Sequence, residues 1–216
     1  MTRGGDDPYS FELRAASPTR PVRGRLSDGR LYVDLVPTSA WLSNLQAELT
    51  GLEWRSCSAY VAARAAHQCE VCGSRSGRLE CHERWSFDEV AGIQRLTSLQ
   101  ALCTWCHLAT HVGTARSKAE FRFAASHMCR VNGWGAAQFR EHLQHALDVS
   151  QRRSGRAWMV DARHLKALPI NWSDKTREFV ERHATLLQRV GTGDGRQECI
   201  SLLSGLDSRL SEKKGE

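Results

Sequence analysis

The stretch CEVCGSRSGRLECHERW, residues 69–85, opens with two cysteines that are separated by two residues. A second pair with the same spacing follows in LCTWCHLATH, residues 102–111. Each CxxC turn points two thiolates at one ion with little strain, and two such turns complete a tetrahedral shell of four sulfurs. The sequence therefore predicts a structural zinc site around which this part of the chain folds. Its predicted ligands are Cys69, Cys72, Cys103 and Cys106.

A redox dithiol is the alternative for one CxxC pair, but it does not explain why there are two pairs. The sequence contains eight cysteines and no apolar stretch of signal-peptide kind at its N-terminus. In that context clustered cysteines indicate metal binding rather than a disulfide framework. The other four lie singly in apolar or helical contexts, which is typical of small buried residues. These are Cys57, Cys81, Cys129 and Cys199.

Three histidines accompany the cysteine pairs. His107 and His111 are four residues apart, so a helix that begins at the second pair projects both imidazoles from one face, where they can share one divalent cation. His82 belongs to the strand before that helix, and a hairpin pinned by zinc at both ends would lay the strand against the helix. The alternative for a single histidine is an ordinary surface or core residue. We interpret six histidines in that way: His67, His127, His142, His145, His164 and His183.

Turn and periodicity signals predict a helix-rich chain around this cysteine region. We expect a hairpin before Pro37, a helix capped at Thr38 or Ser39, and a second helix over 52–66. Further helices are expected over 116–131 and 136–152, and from the N-cap Ser173 onward. The predicted organisation is a disordered tail (1–20), an N-terminal hairpin and helices (21–66), a metal-binding core (67–115), a C-terminal helical part (116–190) and an uncertain or disordered tail (191–216).

The composition fits a soluble globular protein of the cytoplasm. Hydrophobic residues make up 41% of the 216 positions and charged residues 25%, which is ordinary for such proteins. No apolar run approaches the roughly 18 residues that a membrane span needs. The formal charge of +6 and the pI near 9.0 favour a polyanionic partner such as nucleic acid. The oligomeric state stays open, a homodimer included.

The first CxxC pair, the strand with His82 and the segment LCxxCHxxxH together resemble the HNH, or ββα-metal, endonuclease motif over about residues 69–113. A looser likeness to a group of bacterial HNH proteins extends over about residues 33–170. The resemblance implies an α+β, mostly helical fold. Its centre would be a ββα-metal (treble-clef-like) HNH core with a structural zinc, flanked by helices. It also implies hydrolysis of DNA phosphodiester bonds with one divalent cation (Mg, Mn, Ni, Co or Zn), and by analogy a role in bacterial defence or mobile elements.

The resemblance also implies individual roles. His82, with the two helix histidines, would bind the catalytic cation, and Glu83 stands where the family usually has a histidine base. Ser98 replaces the asparagine of the motif, and Gln94 is the nearest amide that could substitute for it. A free Glu has a pKa of about 4.3 against roughly 6.5 for His, so it is the weaker base unless burial raises its pKa. Hydrolysis with a Glu base, or with His82 in that role, is the leading hypothesis.

Basic residues near this region could hold a phosphate backbone, with a solvated charged face as the alternative. We consider Arg84, Arg116, Lys118, Arg152, Arg153 and Arg156 for this role. The alternative to a nuclease is a non-catalytic zinc-containing module, derived from an HNH fold, that binds nucleic acid or protein. No sequence-reading module is recognisable, so the sequence leaves the DNA specificity open.

Overall fold

A computed structural model describes residues 30–43, 45–75 and 77–191, without the side chains of 41–43 and 189–191. The chain divides into two compact units, each drawn from three segments. The first unit comprises Met1–Val36, Ser58–His82 and Gln100–Arg152, and the second comprises Pro37–Cys57, Glu83–Leu99 and Arg153–Glu216. The predicted tail at 1–20, the predicted tail at 191–216 beyond its first residue, and Cys199 lie outside the described residues.

Two long strands form the hairpin that carries the candidate site. Strand β1 spans Leu79–Asp88 and strand β2 spans Ile93–Cys103. In the connecting turn the amides of Val90 and Ala91 donate to Asp88 Oδ1, at 3.1 and 2.9 Å. Gly92 takes φ +71° there, a left-handed conformation that glycine adopts without steric cost. A short strand β3, Met159–Asp161, adds parallel to β2, so the sheet order is β1-β2-β3.

Helices follow the hairpin in the first unit. Helix α3, Thr104–Thr110, starts directly after β2, as predicted. Helix α4, Lys118–Asn132, begins at the N-cap Ser117, whose side chain accepts from the Glu120 amide, and it ends at Gly133 with φ 68°. Helix α5 spans Ala136–Ser154. Both α4 and α5 lie close to their predicted ranges, because their cap residues and apolar periodicity agree.

The core of the first unit includes the cysteine region itself. Leu102, Cys106, Met128 and Phe139 are completely buried in one cluster. An extended segment, residues 31–35, also packs into it. This segment is the second arm of the predicted hairpin, and its first arm lies outside the described residues.

Side chains of α4 and α5 hold the backbone of residues 31–35. The Leu31 amide donates to Asn132 Oδ1 at 3.0 Å, and the Val33 amide donates to His142 Nε2 at 2.9 Å. The Asp34 amide donates to the carbonyl of Thr110, at 2.8 Å. These bonds satisfy backbone groups that a neighbouring strand would otherwise bind.

The second unit is built around a buried carboxylate. Helix α1 spans Leu45–Glu48, helix α2 spans Gly51–Arg64 across the boundary between the units, and helix α6 spans Asp174–Gly191. Glu53 accepts from the amides of Thr50 and Ser173, both at 2.7 Å, and thus caps α2 and α6 together. Burial raises its pKa, but these hydrogen bonds outweigh burial and lower the pKa to about 2. The predicted N-cap Ser173 is confirmed by its contact with the Thr176 amide.

The α+β class and the helical majority are confirmed, while the assignment to a ββα-metal core stays a prediction. After α5, residues 155–165 contain β3 and the start of a 3-10 helix that spans Arg163–Ala167. Further 3-10 turns span Thr38–Ser43 and Val112–Thr114. Within the described ranges no helix is long and apolar enough to cross a membrane. The predicted domain boundaries stay predictions.

Candidate metal centres

The four paired cysteines converge in the first unit. Their sulfurs lie within 4.8 Å of one another, so the group could hold a metal ion such as zinc. The sulfurs of Cys72 and Cys103 are 3.7 Å apart, and two sulfurs about 2.3 Å from one tetrahedral zinc would be roughly 3.8 Å apart. A disulfide needs about 2.05 Å, so this spacing fits a shared ion. Three of the four side chains are buried and Cys72 is half-buried.

Backbone hydrogen bonds shape the first cysteine turn. The Gly73 amide donates to the carbonyl of Cys69, and the Cys69 amide donates to that of Ser74, both at 2.9 Å. Gly73 has φ +74°. The turn is tied to the end of β2 through Glu70, whose amide donates to the carbonyl of Ala101 at 2.9 Å, while its carboxylate accepts from the Ala101 amide at 2.7 Å. These bonds tie the first CxxC turn to the strand that leads into the second pair.

The sulfurs have a polar neighbour on α4. His127 Nε2 lies 3.1 Å from Cys106 Sγ, and Nη2 of Arg130 lies 2.8 Å from the other ring nitrogen of His127. Burial lowers the pKa of His127, and the Arg130 charge lowers it further. Among the thiols, a hydrogen bond from Cys106 lowers the pKa of Cys69 to about 4 against the opposing effect of burial, and the same bond raises the pKa of Cys106. A thiolate in this cluster is the ionisation state that a metal requires.

The three predicted histidines also converge in the first unit. Their ligand nitrogens lie within 4.8 Å of one another. His111 Nε2 is 3.2 Å from His82 Nδ1. Two nitrogens that lie about 2.05 Å from one tetrahedral ion would be roughly 3.3 Å apart, so the observed distance fits a shared ion. The centroid of the His107 ring lies 5.4 Å from the ring centroid of His82 and 5.0 Å from that of His111. Three imidazoles in this arrangement can hold one cation and leave a coordination position open.

The Nδ1 atoms of His107, on α3, and of His111, directly after α3, both have hydrogen-bond acceptors. His107 Nδ1 donates to Glu80 Oε2 at 2.7 Å, and His111 Nδ1 donates to the carbonyl of Asp34 at 3.2 Å. Each bond puts the ring proton on Nδ1 and leaves the Nε2 lone pair for a cation. Metal-binding histidines in proteins commonly have such a carboxylate or carbonyl partner. These acceptors leave the Nε2 atoms of both rings in the form that could bind a metal ion.

Glu83, the predicted base, belongs to the second unit. Its carboxylate accepts from Trp85 Nε1 at 3.0 Å. Because side chains alternate along a strand, Glu83 and Trp85 leave β1 on the face opposite to His82. On α2, burial raises the pKa of the Cys57 thiol to about 11, and the negative charges of Glu53 and Glu83 add to this effect.

Ser98 and Gln94 also lie in the second unit, on β2. Gln94 is 1% exposed, and it is paired in register with Val160 of β3. Its side-chain oxygen, Oε1, is buried and has no hydrogen-bond partner among the described residues. Ser98 is half-buried. The structure thus places both side chains in the sheet of the second unit and leaves their predicted bracing role untested.

The predicted phosphate-binding residues fall into two groups. Arg116, Lys118 and Arg152 are exposed. The other three belong to the second unit. Arg84 is 9% exposed, Arg153 pairs with Glu89 at 3.1 Å, and Arg156 donates to the carbonyl of Glu89. Arg156 is exposed as well, although its guanidinium donates within the second unit.

Two residues of these centres were missed by the sequence interpretation. Glu80 precedes His82 by two strand positions, and this period-2 spacing could have placed both on one face. His127 carried no sequence signal, because its contact with Cys106 depends on how α4 packs on α3. The single cysteines Cys57, Cys81 and Cys129 are buried, as predicted. No protein-family model, curated protein or solved structure matches the chain.

Proposed function

We propose that the protein is a metal-dependent endonuclease that hydrolyses DNA phosphodiester bonds, with zinc at the four cysteines and a catalytic divalent cation at the three histidines. The observation that carries the proposal is the histidine cluster. His82, His107 and His111 bring three ligand nitrogens within 4.8 Å of one another, and acceptors hold two of the rings in a ligand tautomer.

The number of ligands suits catalysis rather than structure. Catalytic metal sites commonly use three protein ligands and keep one position for water or substrate, whereas structural zinc sites use four. Imidazole ligands favour Zn²⁺, Mn²⁺, Ni²⁺ or Co²⁺ over Mg²⁺, which prefers oxygen. The histidine cluster would therefore take a transition metal most readily.

A cation bound at this site would polarise the scissile phosphate and lower the pKa of a bound water. His82, His107 and His111 would hold that cation, and Glu80 keeps the His107 ring oriented through its 2.7 Å hydrogen bond. Glu83 is the proposed group that takes the proton of the attacking water. The exposed residues Arg116, Lys118 and Arg152 are the proposed backbone contacts, so DNA affinity should fall steeply with salt concentration.

A second candidate function is a non-catalytic module that binds nucleic acid or protein. The position of Glu83 favours it. The side chain leaves β1 on the face opposite to His82, and Trp85 Nε1 donates to it. A carboxylate in that position is poorly placed to accept a proton from water at the histidine cluster. In this case both metal centres would stabilise a binding surface.

Cleavage of supercoiled plasmid with Mn²⁺, Ni²⁺ or Mg²⁺ separates the two functions. A nuclease should nick or linearise the plasmid, and His111→Ala should lower the rate by about 100-fold or more because it removes a metal ligand. The matched control is His145→Ala, which removes an exposed imidazole of α5 and should cleave like the wild type. Equal cleavage by both variants would identify a contaminating nuclease.

Glu83→Gln then tests the base. If Glu83 accepts the proton, this variant should lose about 10²–10⁴-fold in rate and keep its metal content. Unchanged cleavage by Glu83→Gln would remove Glu83 from the mechanism while leaving the nuclease in place. A wild type that binds DNA but leaves the plasmid intact with all three cations would establish the binding module instead.

A further inference from the structure

A chain of two hydrogen bonds runs from the cysteine cluster to the surface of α4. Cys106 Sγ lies 3.1 Å from His127 Nε2, and His127 Nδ1 lies 2.8 Å from Nη2 of Arg130. Cys106 is completely buried, His127 is 7% exposed, and Arg130 is exposed. Because His127 and Arg130 are three residues apart on one helix, they lie on the same helical face.

The direction of both hydrogen bonds follows from the arginine. A guanidinium can only donate, so His127 Nδ1 must be the acceptor. A neutral imidazole with an acceptor at Nδ1 carries its proton on Nε2. That proton points at Cys106, whose sulfur therefore accepts. The lone pairs of that sulfur can accept in either protonation state, and in a zinc-loaded centre the sulfur is a thiolate.

We propose that His127 and Arg130 are positioning residues of the four-cysteine centre: they orient the sulfur of Cys106 as a metal ligand and slow the loss of the ion. The physical reason is charge. Four thiolates around one divalent cation carry a net charge of −2, and burying such a charge is costly unless it is hydrogen-bonded or paired. The N–H of His127 satisfies one sulfur, and the Arg130 cation stabilises this tautomer. The inference concerns the cysteine centre alone and is independent of DNA cleavage.

The cysteine centre has an open side that makes such protection useful. Cys72 and Cys103 line a cleft of about 670 Å³, and His127 and Arg130 line it too. A chelator or an oxidant can therefore approach the sulfurs through this cleft. Thiolates that accept hydrogen bonds are weaker nucleophiles, so the positioning residues should slow both the transfer of zinc and the oxidation of sulfur.

The test measures how fast zinc passes from the zinc-loaded full-length protein to a chromogenic chelator. Arg130→Met keeps an extended side chain but removes the donor, and we expect zinc transfer to accelerate about tenfold, in the range that outer-shell changes cause at metal sites. Arg130→Lys restores a donor and should remain within about twofold of the wild type. The control is Arg122→Met, the same change at an exposed position of α4, which should have no effect.

A second readout follows the proton itself. Long-range ¹H–¹⁵N spectra should show His127 protonated at Nε2 in the zinc-loaded wild type and in Arg130→Lys. In Arg130→Glu the carboxylate can only accept, so the proton should move to Nδ1 and zinc transfer should be fastest. Since residue 130 is exposed, melting temperatures of the loaded variants should stay close to that of the wild type. Wild-type zinc transfer in Arg130→Met, or an Nδ1 proton in the wild type, would overturn the inference.

Discussion

The two ligand clusters of the first unit differ in almost every property that controls metal chemistry. The cysteine cluster has four sulfurs, three of them on buried residues, and its outer contact is the pair His127 and Arg130. The histidine cluster has three nitrogens, with His107 and His111 half-buried. Its outer contacts are the Glu80 carboxylate and the Asp34 carbonyl.

Under the proposed function, this difference separates a structural role of the cysteine cluster from a chemical role of the histidine cluster. Four thiolates complete the shell of a cation and leave no position for substrate, whereas three imidazoles leave one position open. The outer contacts match the ligand charge. The Arg130 cation, acting through His127, offsets the negative charge of the thiolates, and the Glu80 carboxylate and the Asp34 carbonyl polarise the neutral imidazoles. Loss of the first cluster should therefore affect folding, and loss of the second should affect metal binding alone.

The largest effect should come from Cys106→Ser. A structural zinc contributes on the order of 10 kcal/mol to folding in zinc-finger peptides, and Cys106 sits in the buried core of the first unit. We expect the variant to lose one zinc per chain and the cooperative thermal unfolding of this unit, as measured by metal analysis and circular dichroism. Cys129→Ser replaces a buried cysteine outside the cluster and should keep its zinc. A zinc-free Cys106→Ser protein with wild-type melting would contradict the structural role.

His111→Ala should affect binding of the second cation and leave the fold unchanged. The variant lacks one of three ligands, so we expect its Mn²⁺ or Co²⁺ affinity at this centre to fall by more than the roughly 10–100-fold that loss of an outer-shell partner costs. Isothermal titration of zinc-loaded protein measures this affinity, and zinc at the cysteines should stay at one per chain. Loss of the cysteine-bound zinc in this variant would show that the clusters are not separable.

Glu80→Ala should have a smaller effect on the same affinity. The carboxylate accepts from His107 at 2.7 Å, and its removal frees the ring to rotate and to change tautomer. We expect a roughly 10–100-fold loss of affinity. Glu181→Gln, on the exposed face of α6, is the control for loss of a negative charge. An unchanged affinity in Glu80→Ala would mean that the hydrogen bond does not orient the ligand.

The smallest effect should be a dependence of stability on pH through His142. Burial lowers the pKa of His142 to about 4, and the nearby His145 contributes, while its Nε2 accepts from the Val33 amide. A histidine with a lowered pKa binds its proton more readily when unfolded. Its stabilising contribution is complete above about pH 6.5 and is lost as the pH falls towards 4.

Between pH 7 and pH 5 this loss should be on the order of 2 kcal/mol. His142→Gln keeps an acceptor for Val33 but cannot titrate, so its free energy of unfolding should vary less over this interval. Urea denaturation at both pH values measures the free energy of unfolding of the wild type and of the variant. The contribution of the metal ligands, which both proteins share, cancels in the difference between them. Parallel pH dependences would show that His142 does not control acid stability.

The sequence predicted the elements of the site better than their contacts. The spacing of the CxxC pairs, the four-residue step from His107 to His111 and the strand containing His82 were sufficient to predict both clusters. The N-cap Ser173 was predicted because capping depends on local hydrogen bonds. The hairpin expected before Pro37 was predicted less well, since residues 31–35 receive their hydrogen bonds from side chains about a hundred residues away.

The sequence alone determined which residues could bind a metal, because the ligand spacings are short and follow from the geometry of one turn and one helix. Only the tertiary structure decided which groups surround those ligands. Whether His127 faces Cys106 and whether Asp34 supplies a carbonyl to His111 both depend on packing between distant segments. For CEVCGSRSGRLECHERW this means that the ligands of the candidate cysteine centre can be predicted from the sequence. The chemistry at the candidate histidine centre depends on contacts that only the fold creates.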